Sequence, residues 1–160
     1  MRQLWEVADF VRSIRRRLRF GEFSRAPLRL LRFELRNDVA QTVECDWIVR
    51  PADAWDSSLQ RRVQAEHESL QALADAIAVR NLVLDAFPKI ESAKLRGFRQ
   101  PAREPPKMIL LGTVSTEMPD VYRVSSLAMR AKLYGFCFSL EDGYLRPLQV
   151  GDSSEEFISS

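Results

Sequence analysis

Histidine occurs once in this chain of 160 residues, and cysteine only twice. That scarcity excludes whole chemistries. No C-x-x-C and no H-x-x-x-H is present to hold zinc. Glycine is sparse as well, with six in all. Neither G-x-x-x-x-G-K-[ST] nor G-x-G-x-x-G occurs, so there is no loop to cradle a nucleotide phosphate. No apolar run approaches the ~18 residues that a membrane-spanning helix needs. Glu6 and Asp9 interrupt the N-terminal stretch, so it lacks the apolar centre of a secretory signal. These absences lead to the expectation of a cytoplasmic protein with no cofactor, no metal and no transmembrane segment. Cys45 and Cys137 both lie in apolar alternations and read as packed thiols; a disulfide between them stays open.

What the chain does have is arginine, unevenly placed. Residues 1–37 carry ten arginines against four acids, whereas residues 38–160 carry fourteen basic and eighteen acidic side chains. The first quarter therefore invites an anionic partner, or docking on the protein's own acidic surface. Spacings of three and four among Leu4, Ala8, Val11, Ile14 and Leu18 predict a helix over residues 3–19. Arg12, Arg15, Arg16, Arg17 and Arg19 fill its last turns, where cations suit the helix dipole. In one reading these arginines contact nucleic-acid phosphates or an anionic membrane surface, with Leu4, Trp5, Val7 and Val11 inserting into a membrane or a partner groove. In the other, the apolar stripe packs on the protein's own sheet or a second subunit, and the arginines are solvated or paired.

The remainder alternates between strand and helix patterns. Leu28–Arg36 reads as a strand with Leu31, Phe33 and Leu35 on one face, and a bulge is expected where Leu30 falls out of phase. Val43, Cys45, Trp47 and Val49 mark the buried face of a second, antiparallel strand. A long helix follows from about Ser58 to Ala86, with Val63, His67, Leu70, Ala74, Ile77 and Leu84 as its stripe and a break expected near Val79–Asn81. A strand around Ala93 and Leu95 comes next, then a well-buried strand Met108–Val114. A helix is expected from Pro119 to a glycine cap at Gly135. Phe136–Leu140 and Tyr144–Leu148 form a hairpin about Asp142-Gly143. The order is α-β-β-α-β-β-α-β-β, an α+β fold with a mostly antiparallel or mixed sheet and helices on one face. Residues 1–148 read as one domain and 149–160 as a disordered tail.

Residues 66–146, with Leu110-x-Gly112-x-Val114, alanines at 128 and 131, and Gly135-Phe136, resemble the BON family, whose order is α-β-β-α-β. The resemblance covers about half the chain. It implies a lipid- or protein-binding module without catalysis. The chain departs from that pattern in its added α-β-β front and its proline-bearing segment before Met108.

Chemistry concentrates in Cys45-Asp-Trp-Ile-Val-Arg-Pro-Ala-Asp-Ala-Trp-Asp56. Much of this is a strand end, a proline stop and a helix cap at Asp56. Asp53 and Trp55 are left over, and with His67 they are the ligand-pocket candidates. A Cys45–His67 nucleophile and base would make an enzyme; alternation turns Asp46 away from Cys45, so the triad does not converge. The leading expectation is a non-catalytic protein-interaction module that self-associates through the first helix or a strand edge, ahead of an anionic-surface binder and a small-ligand binder or enzyme.

Overall fold

A computed structural model describes residues 2–19, 21, 24, 26–51, 61–115 and 126–148. The chain runs α1 (Arg2–Arg17), β1 (Arg29–Asn37), β2 (Gln41–Ile48), α2 (Arg61–Ala86), β3 (Ser92–Arg99), β4 (Lys107–Val114), α3 (Leu127–Leu133), β5 (Phe136–Cys137), β6 (Ser139–Glu141) and β7 (Tyr144–Arg146). This is the α+β class expected from the pattern. Strands β1 to β5 form one mixed sheet in chain order, and β6 and β7 form a separate two-stranded ribbon. Hairpins β1–β2 and β3–β4 are antiparallel; β2 and β3 are parallel, as the crossover through α2 requires.

One face of the sheet carries the core. Val43, Cys45 and Trp47 of β2 share it with Ala93 and Leu95 of β3 and Leu110 and Val114 of β4. Helix α1 lays Phe10 on this face, stacked on Phe33 at 4.5 Å and close to Phe87 at 5.6 Å. The opposite face carries an ion-pair lattice in which Arg32, Arg36 and Arg96 meet Glu34, Glu44 and Asp46. Gly112 faces Phe136 across the β4–β5 pair, where a Cβ would meet the ring at 2.6 Å. The glycine is therefore there for close packing.

Several expectations need correction. The bulge falls between Leu30 and Arg32, so Leu30 joins Phe33 on the core side and Leu31 turns outward. Helix α2 is unbroken. Its buried residues are Ala72, Leu73, Ala76, Val79, Leu82 and Val83, together with Ser69, Gln71, Asp75 and Arg80, and Leu70 is exposed. The expected stripe assumed one packed face, whereas α2 touches α1, α3, β3 and β7. Helix α3 begins at Leu127, with Ser126 accepting from the Met129 N–H at 3.3 Å. The start expected at Pro119 lies outside the described residues, as do the Asp56 cap and the tail. Phe136–Leu140 is divided between two sheets, with Cys137 opposite Leu111. Cys137 is thus exposed rather than packed, and both cysteines are free. Asp142 and Gly143 have positive φ, 52° and 78°, as the hairpin dipeptide requires.

Candidate anion-binding groove

The end of α1 and the start of β1 enclose a groove of about 660 Å³ lined by Val11, Arg12, Arg15, Arg16, Arg19, Pro27, Leu28, Arg29 and Leu30. Helical periodicity explains the first wall: Arg12, Arg15, Arg16 and Arg19 recur at spacings of three and four. Their opposite face carries Phe10, Ile14 and Leu18 into the core, which fixes the rotation of the helix. Arg29 comes from β1, next to the bulge that turns Leu31 outward. Leu28 is buried.

Local hydrogen bonds hold the two walls together. The Leu28 N–H donates to the Leu18 carbonyl at 3.0 Å, bringing the strand start against the helix end. Arg50 Nη1 donates to the carbonyls of Leu18 (3.1 Å) and Ala26 (3.0 Å). The same guanidinium grips Asp75 of α2, with Nε to Oδ2 at 2.8 Å and a second bond from Nη2 to Oδ1. Gln71 Nε2 also donates to Asp75 Oδ1, at 2.9 Å. Arg50 and Asp75 are almost wholly buried. Such a pair is tolerable inside only because its polar atoms are bonded.

The groove itself is cationic. Arg12 pairs with Asp9, one turn back, and both are well exposed. Among the described residues, no carboxylate pairs with Arg15, Arg16 or Arg29. Four of the five arginines expected to bind anions therefore line one cavity. Arg17 is exposed and is not among the lining residues. Arg29 was missed because a lone arginine at the start of a strand carries no periodic signal. Only the packing of α1 beside the strand's start brings it to the helix arginines.

The other candidates do not converge. Cys45 is fully buried, and burial, aided by Asp46, pushes its thiol up to about 12. That is the reverse of an activated nucleophile. His67 is half-buried on α2 and does not line the groove. Asp53 and Trp55 lie outside the described residues. The insertion reading also loses members: Val7 packs on the core and Val11 lines the groove. Among the described residues, no helix is long and apolar enough to cross a membrane. No family model, no curated protein and no solved structure matches this chain.

Proposed function

We propose that this protein is a non-catalytic binding module whose α1–β1 groove receives an anionic partner. One observation carries the reading: five guanidinium groups, three from α1, one from the turn after it and one from β1, line a single concavity. The sealed Cys45 speaks against a thiol mechanism. The BON-like order of the second half, a family without catalysis, leans the same way. Pairing of a second copy on the β1 edge is the weaker reading. That edge carries a bulge and Arg29, Arg32 and Arg36, all devices that discourage strand addition. An exposed free Cys137 suits a reducing, cytoplasmic setting.

The test is titration with inorganic polyphosphate at low salt, comparing the native chain with Arg15→Glu/Arg16→Glu. The native protein should bind in a salt-sensitive manner and the variant should not. Absence of binding at low salt would remove the proposal.

A further inference from the structure

We infer that the anionic partner is a single-stranded nucleic acid, with its phosphates on the groove arginines and a base stacked on Trp5. This rests on the groove reading above and adds the ligand class. Trp5 is 66% exposed, against the usual habit of tryptophan to be largely buried. It precedes Arg12 by seven positions and Arg16 by eleven, so all three lie on one stripe of α1. The line from Trp5 to Arg16 is about 16 Å at 1.5 Å per residue. An aromatic platform in line with a cationic groove is the arrangement that holds single strands, bases on the ring and backbone along the charge.

Three observations favour this occupant over other polyanions. The arginines line a concave groove, which a flat bilayer cannot enter. Of the residues that would insert into a membrane, Val7 is packed on the core and Val11 lines the groove. A duplex offers no unstacked base to Trp5, so the tryptophan would be idle against it. The exposed Asp9 between Trp5 and Arg12 bridges to Arg12, and a phosphate would compete with it for that guanidinium.

The experiment is fluorescence anisotropy with a labelled homopolymeric single strand, repeated with the matching duplex, inorganic polyphosphate and phosphatidylserine vesicles. The single strand should bind best. With four to five arginines engaged, log Kobs should fall against log salt with a slope of about −3. Trp5→Ala should weaken single-strand binding by roughly 5- to 140-fold and leave polyphosphate binding unchanged. Trp5→Phe should restore most of the loss. Both substitutions are at an exposed site, so an unchanged urea midpoint verifies the fold. If polyphosphate binds through Arg15 and Arg16 while Trp5→Ala alters nothing, the nucleic-acid inference is overturned and the groove reading survives. Preference for duplex or vesicle overturns it too. If no probe binds at low salt, the groove reading falls with it.

Discussion

Arg50 is buried two residues past the end of β2 and donates four hydrogen bonds, two to Asp75 and two to backbone carbonyls. Arg15, on the rim of the groove, is exposed and has no carboxylate partner among the described residues. The interior group has two further members. Arg80 lies 4.0 Å over the Tyr134 ring and donates to Asn81, and burial lowers its pKa. Arg99 donates to Glu68 and to the Leu145 carbonyl and covers the Tyr144 ring, which pins the β6–β7 ribbon. Arg50 has its bonding capacity committed inside the molecule, whereas Arg15, Arg16 and Arg29 on the groove wall pair with no carboxylate among the described residues. The two groups are also linked, because Arg50 fixes Leu18 and Ala26 and thereby the wall on which the groove arginines stand.

The largest effect should come from stripping the interior group of its counter-charge. Asp75→Ala leaves Arg50 buried without its carboxylate, which costs about 3–5 kcal/mol in such settings. Urea unfolding measures it. A loss below 1 kcal/mol would mean that Arg50 reaches solvent, and the contrast with Arg15 would collapse.

Gly21 tests the same network from the linker side. A Cβ there would meet the Gln71 carboxamide at 2.4–2.5 Å, and Gln71 is buried and bonded to Asp75. Gly21→Ala should cost about 1–3 kcal/mol through overpacking. Shortening the obstacle with Gln71→Ala should relieve part of that cost in a double-mutant cycle. Strict additivity would show that the glycine is not held by Gln71.

The groove group should behave in the opposite way. Arg15→Ala, Arg16→Ala and Arg29→Ala should each leave stability within about 0.5 kcal/mol, as exposed substitutions usually do. Each should weaken polyphosphate binding at low salt. Stability losses as large as those at Asp75 would place these arginines with the interior group.

The sequence revealed the two groups unequally. Helical spacing was enough to show that Arg12, Arg15, Arg16 and Arg19 share a side, and strand alternation was enough to bury Cys45 and Trp47. Both are periodicities of a single element. Arg29 joins the site only through the contact between α1 and β1, and Asp75 meets Arg50 across 25 positions of chain. Neither contact has a period to read. Gln71, Asp75 and Arg80 stand outside the stripe read for α2 and yet are buried, because a helix wrapped by neighbours on several sides shows no clean stripe.

Asp46 offers the smallest and finest test, because it stands between the two groups. It is largely buried on the outer sheet face, and Arg96 Nε donates to it at 2.9 Å. Burial raises its pKa, with Arg96 and Arg32 pulling the other way. Glu34, half-buried in the same lattice, is held below its usual range by bonds from Arg36 and Arg32. A carboxyl whose pKa is higher folded than unfolded binds its proton more tightly in the native state. Its contribution to stability is therefore absent well above the folded value, and grows as the pH falls through that value towards the unfolded one near 3.9. Asp46→Asn removes this gain. In urea titrations at pH 7 and pH 4, the difference between native and variant should shift towards the native protein on acidification. Glu34→Gln should shift it the other way, because Glu34 supplies stability that acid removes. If both variants move together, burial does not govern Asp46, and the outer-face lattice belongs wholly with the solvated arginines.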